Sequence, residues 1–170
     1  MALKIKLSFF LLSLLILTLI ALKVSLERAE STQAYVTEVA KELKQRKAKD
    51  YRAVKECLDQ INDGVDQLTN CIKETQMIKE NGTSSDFPWH ASNVQTWMST
   101  ALTDASMCMD GFSSRAIEGK KKAIIKPRCL ILNKQLAMPW PCSIGLLQGI
   151  GPPMSINPKY RGFWAICIWT

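Results

Sequence analysis

NVQTWMSTALTDASMCMDGF, residues 93–112, is the stretch on which the fold turns. Counted from Val94, the side chains of Trp97, Met98, Ala101, Ala105, Cys108 and Phe112 fall at offsets 3, 4, 7, 11, 14 and 18. That is a sustained a/d pattern, the mark of an amphipathic helix with one narrow buried stripe. Ser92, with Gln95 three residues on, reads as a capping box for its start. An upstream segment repeats the pattern with Val54, Cys57, Leu58, Ile61, Val65, Leu68 and Ile72. Between them lies KENGTSSDFPWHAS, residues 79–92, rich in turn formers. Two successive helices with matching stripes and a short connection pack antiparallel. The fold class is therefore all-α, an up-and-down antiparallel helix bundle.

Working outward, another helix is predicted from Val24 to Lys47, with Leu26, Ala29, Val36, Val39, Ala40 and Leu43 at helical spacing. The basic run KQRKAKD, residues 44–50, ends it. On the C-terminal side a fourth helix begins as AIIKPR, residues 123–128, and is expected to give way at once. Residues 129–170 hold five of the seven prolines and three of the five tryptophans, and read as an irregular Pro/Trp-rich tail. The bundle is thus expected over residues 23–128, with three clear helices and an incomplete fourth. A three-helix remnant would expose parts of the Val54 and Val94 stripes, at about 1.5–3 kcal/mol per side chain. Marginal stability and aggregation are the expected consequence.

Residues 1–22 read as a signal peptide or signal anchor: Lys4 and Lys6 precede the uncharged run LSFFLLSLLILTLIAL, which Lys23 ends. The run is long for a signal core and short for a spanning helix, and no small-x-small cleavage site follows it. The expected destination is secretion, extracellular, with membrane anchoring as the alternative if the leader stays uncleaved. The net charge of +7 is unevenly placed. Residues 24–118 carry 11 Lys and Arg against all 15 acids, while residues 119–170 carry 8 basic residues and no acid. The folded part is mildly acidic, which argues against nucleic acid as a partner.

An oxidising compartment invites disulfides among the six cysteines. Cys57 and Cys108 each sit on a core-facing stripe, near the end of the hairpin far from its connection. A bridge between them is geometrically reasonable and worth roughly 4 kcal/mol in the chain-entropy picture. Two separate buried thiols are the alternative. The only histidine is His90 and no CxxC pair exists, so no metal site is expected. His90 has no matching nucleophile motif and no Gly-rich phosphate loop appears, so catalysis is disfavoured. Asn81-Gly82-Thr83 is an N-glycosylation sequon. Beside the apolar stripe of residues 93–112, Thr96, Thr100, Thr103 and Met107 form a second ridge. Thr is a mediocre helix former, so the clustering is not explained by propensity. It reads either as a solvated or packed helix face or, with Asp104, as a partner-binding surface. Trp97 and Phe112 are assigned to the core.

The run NVQTWMSTALTD, with the cysteine and the DGF that follow, resembles the signature of the plant invertase/pectin methylesterase inhibitor family. AVKECLDQINDGVDQLTN resembles that family's second bundle helix and VSLERAESTQAYV its first, so the likeness covers roughly residues 21–128. The resemblance implies a secreted four-helix bundle that is no enzyme, uses no cofactor and occludes an enzyme's substrate cleft with helix faces. It also implies the Cys57–Cys108 disulfide. Departures are visible: no cysteine precedes Cys57 to staple an N-terminal hairpin, the fourth-helix motif is replaced after Lys122, and Met107 stands where relatives commonly have Thr. The loop reads Asp86-Phe87-Pro88-Trp89-His90 rather than the Pro-Lys-Phe of invertase inhibitors. Pectin methylesterase is therefore the expected target, with acid invertase the alternative. Trp89 and His90 read as a loop contact, or more simply as packing on the bundle end. A non-inhibitory, leader-anchored remnant of the family is the competing reading, and a detached pro-region of a pectin methylesterase precursor a minor third.

Overall fold

No glycine or proline interrupts residues 2–45, and that stretch forms one uninterrupted helix, α1 (Ala2–Gln45). The computed structural model describes residues 2–81, 86–111 and 120–136. Its other elements are α2 (Tyr51–Asn81), α3 (Phe87–Gly111) and α4 (Lys120–Leu136). α1 packs on α2, α2 on α3, α3 on α4, and α4 back on α1, so the ring closes as an up-and-down bundle. The all-α class read from the stripes is the observed one.

The reason is a strict seam. On α2 the buried positions Val54, Cys57, Ile61, Gly64, Leu68, Cys71, Thr75 and Ile78 run alternately three and four apart, with Ile72 buried beside them. On α1, Leu22, Ser25, Ala29, Thr32, Val36, Val39 and Leu43 keep the same alternation. Such a repeat holds one narrow line of side chains against a neighbour over the whole helix length. The polar members of the seam turn their hydroxyls inward: Thr32 donates to Arg28 O at 2.8 Å and Thr75 to Cys71 O at 2.7 Å. No buried donor is stranded at either place. The core divides into two clusters. One gathers Leu19, Leu22, Leu68, Ile72, Val94 and Met98; the other gathers Val36, Val39, Val54, Cys57, Cys108, Ile125 and Cys129.

Three boundaries differ from expectation, each for a local reason. The first helix starts at Ala2 rather than Val24, because the N-terminal apolar run is itself helix-forming and its Leu19 and Leu22 join the core. α3 starts at Phe87, ahead of Ser92. Asp86 takes the N-cap position, with His90 N–H donating to Asp86 O at 3.1 Å, and Pro88 falls in the first turn, where a missing N–H costs nothing. α4 runs through Pro127 to Leu136, past the point where the irregular tail was expected to begin. An interior proline costs a helix about 3 kcal/mol. Here Ile125, Cys129 and Leu132 continue the buried stripe on both sides of it, and their burial offsets that cost.

The fourth wall therefore exists, and the Val54 and Val94 stripes are covered rather than exposed. Polar contacts tie it in: Asn133 Nδ2 donates to Ser106 Oγ of α3 at 2.7 Å, and the Arg128 guanidinium lies 4.9 Å from the centre of the Tyr35 ring of α1. The α1–α2 corner is closed by Ala48 N–H donating to Leu43 O at 3.0 Å and Lys47 N–H to Lys44 O at 3.1 Å. This is a Schellman turn, and Lys47 takes its left-handed position with φ of 50°. Residues 137–170, with Cys142, Cys167 and the closing GFWAICIWT, lie outside the described residues. Among the described residues no helix is long and apolar enough to cross a membrane.

Candidate functional site

The site is built on α3, and its inner face is fixed first. Cys108 on α3 and Cys57 on α2 are joined, with Sγ atoms 2.06 Å and Cα atoms 4.3 Å apart, so the two-thiol alternative does not apply. Both half-cystines lie in the core cluster with Val54 and Ile125. Val94, Met98 and Ala101 are buried along the same face, and Trp97 is half-buried against the first core cluster. A helix anchored at so many points along its length presents its opposite face in one fixed orientation. Phe112, also assigned to the core, lies outside the described residues.

That opposite face carries Thr96, Thr100 and Thr103. Their hydroxyls do not point to solvent as free donors. Thr96 donates to Ser92 O at 3.0 Å, Thr100 to Thr96 O at 3.0 Å and Thr103 to Ser99 O at 2.9 Å. Each donor is thus spent on the helix's own carbonyls, leaving the methyl group and oxygen lone pairs outward. Met107, 53% exposed, continues the line. The ridge is therefore uncharged, mildly apolar and accepting rather than donating.

Asp104, expected on this ridge, is not there. It is 7% exposed, turned into the α2–α3 seam beside Gly64 of α2. Its position in the three-and-four alternation places it one step off the Thr line. Burial, assisted by the charge of Asp63, raises its carboxyl above the ordinary value of 3.8, and its Oδ2 has no partner among the described residues. A raised carboxyl binds its proton more tightly in the folded state than in the unfolded one. The resulting stability is fully present below pH 3.8 and is lost as pH rises through the raised folded value. Asp104→Asn is accordingly expected to raise the melting temperature at pH 7 and to flatten its decline above pH 4. Thermal melts from about pH 4 to 8 test this; an unaltered pH profile in the variant would remove Asp104 as the source.

Sequence reasoning placed Trp89 in a loop and missed its place in line with the ridge. It lies in the first turn of α3 and is 69% exposed, so it does not pack on the bundle end. Counting 89, 93, 96, 100, 103 and 107 continues the four-and-three alternation, which aligns Trp89 with the Thr line through Asn93. The signal was present in the spacing, but the proline beside it argued for a loop. His90, by contrast, turns inward: its Nδ1 pairs with Glu74 Oε2 of α2, and Asn93 Nδ2 donates to Glu74 Oε1 at 3.3 Å. His90 and Asn93 therefore fix the start of α3 against α2, and Trp89 is held out beside them. Asn81 is the last residue of α2, and the rest of its sequon lies outside the described residues.

Fold and site together define a small, disulfide-stapled helical bundle whose third helix carries a row of uncharged side chains from Thr96 to Met107 on its outer face. The chain belongs to the plant invertase/pectin methylesterase inhibitor family, whose model matches residues 12–136. Among curated relatives it is 43% identical over 106 residues to pectinesterase inhibitor 9 of Arabidopsis thaliana, covering 62% of this chain and 52% of that one. It is 38% identical over 114 residues to pectinesterase inhibitor 11 of Arabidopsis thaliana, covering 67% and 56%. It is 36% identical over 114 residues to the 21 kDa protein of Daucus carota, covering 67% and 58%. The chain thus spans about half the length of the curated relatives it matches. No solved structure matches it.

Proposed function

We propose that this chain is a proteinaceous inhibitor of pectin methylesterase that lays the outer face of α3 across the enzyme's active-site cleft. The observation that carries the reading is the line of Thr96, Thr100, Thr103 and Met107, with Trp89 exposed on the same side in the first turn, on a helix locked from behind. Occluding a cleft needs no chemistry from the inhibitor, only a rigid complementary face within an interface of about 1,600 Å². A large exposed aromatic at one end and methyl-bearing side chains along the remainder suit such a contact, since aromatic anchors dominate binding energy at interfaces. The names of the two Arabidopsis relatives support the target. We also propose export through the leader, action in the cell wall and glycosylation at Asn81. The mature N-terminus and the mass shift on deglycosylation test these points.

The full chain is expected to slow purified pectin methylesterase in initial-rate assays. Trp89→Ala is expected to weaken inhibition about 30-fold, the effect of a typical aromatic hot spot, and Thr100→Arg at least tenfold through a charge set on the ridge. Both variants should keep the wild-type melting temperature, because neither side chain is in the core. Slowing of acid invertase in place of pectin methylesterase would reassign the target; slowing of neither enzyme would overturn the reading.

A further inference from the structure

Cys129 is one of two free cysteines among the described residues, and its surroundings differ from those of the other. Cys71 donates its Sγ–H to Val94 O at 3.6 Å in the first core cluster, away from the disulfide. Cys129, on α4, has its Sγ 3.1 Å from Sγ of Cys108. All three sulfurs of Cys57, Cys108 and Cys129 lie within 4.8 Å of one another, buried in the second core cluster. With Cys57 and Cys108 joined, the trio offers a metal ion only one thiol. Its available chemistry is sulfur–sulfur exchange.

We propose that these three sulfurs form a thiol–disulfide exchange site, in which the covalent staple moves from α2–α3 to α3–α4. The Cys129 thiol gives up its proton and the thiolate attacks Sγ of Cys108. The Cys108–Cys129 bond forms as the Cys57–Cys108 bond breaks, and its electron pair leaves on Cys57, which takes up a proton. One disulfide and one thiol stand on each side, so no oxidant or reductant is consumed. The attack falls on Cys108, the sulfur in contact with Cys129, and Cys57 is the leaving group. The reaction is intramolecular, so burial of all three sulfurs does not prevent it. Burial does push the Cys129 thiol up to about 11, so little thiolate is present at neutral pH and the exchange is slow rather than forbidden.

The two covalent forms differ in which helix is held. In the first, the described contacts that hold α4 are side-chain packing and the polar contacts of Asn133 and Arg128. In the second, α4 is covalently bound to α3 and α2 is released from it. The α3 ridge is stapled in both, so the exchange is independent of the target assigned above.

The test uses the full-length chain carrying Cys142→Ser and Cys167→Ser, incubated at pH 8 with a catalytic amount of free thiol. It is quenched with acid, alkylated in denaturant, digested and mapped by mass spectrometry. A Cys108–Cys129 peptide pair alongside Cys57–Cys108, with Cys57 and Cys129 alkylated in complementary fractions, is the expected result. Cys57–Cys108 as the sole linkage after prolonged incubation would overturn the proposal. A chain further carrying Cys57→Ser provides a second reading. Its Cys108 and Cys129 are expected to pair in air and resist alkylation, whereas a folded variant with both thiols still alkylated would count equally against the exchange.

Discussion

Replacing Cys108 by serine is expected to lower the unfolding free energy by about 4 kcal/mol and the melting temperature by roughly 10 °C. The bridge joins residues 51 apart in sequence, so its loss returns a long loop's freedom to the unfolded chain. Cys108 is also the sulfur that both possible bridges share, so its replacement leaves neither. Cys57→Ser is expected to lose less, because Cys129 remains beside Cys108 to close a loop of 21 residues in its place. Urea denaturation of the two variants, with reduced wild-type chain as the reference, checks the order. Equal losses in the two variants would argue that no second bridge forms.

Ending the chain at Arg128 is expected to abolish cooperative unfolding, whereas ending it at Leu136 preserves it. Residues 129–136 supply Cys129, Leu132 and Asn133 to the interior. A single buried leucine cut to alanine costs about 2–5 kcal/mol, and this cut removes the leucine, its neighbours and the last two turns of α4 together. Single-domain stabilities lie at about 5–15 kcal/mol, so a loss of that size is decisive. Size-exclusion chromatography and thermal melts of the two truncated chains distinguish the cases. A monomeric, sharply melting chain ending at Arg128 would show that α4 contributes little beyond Pro127. The marginal stability expected of a three-helix remnant belongs to that truncated chain, since in the intact one α4 covers the Val54 and Val94 stripes.

How far the sequence alone reaches is clearest at α4 and at the ends of helices. Its short stripe, Ile125, Cys129 and Leu132, is interrupted by Pro127, and local propensity predicts a break there. Only the neighbouring helices, with Val36 and Val54 waiting for a partner, make continuing through the proline favourable. The N-terminal apolar run raises the converse problem. Its apolar character is obvious in the sequence, but that Leu19 and Leu22 find a core to enter depends on α2 and α3 standing beside them.

The candidate site divides along the same line. Spacing alone sets the pair of matched stripes, the antiparallel hairpin, the all-α class and the line of Thr96, Thr100 and Thr103, because periodicity is a property of one helix by itself. Three things depend on helices meeting in space. Asp104 leaves the ridge because its position on α3 turns it into the α2–α3 seam beside Gly64. Trp89, already in register with the ridge, is held there because His90 and Asn93 fix the first turns of α3 against Glu74. Cys129, 21 residues from Cys108 in sequence, reaches the disulfide only because α4 folds back onto α3. Contacts between elements are fixed by shape and burial across the bundle, and a linear pattern carries no record of them.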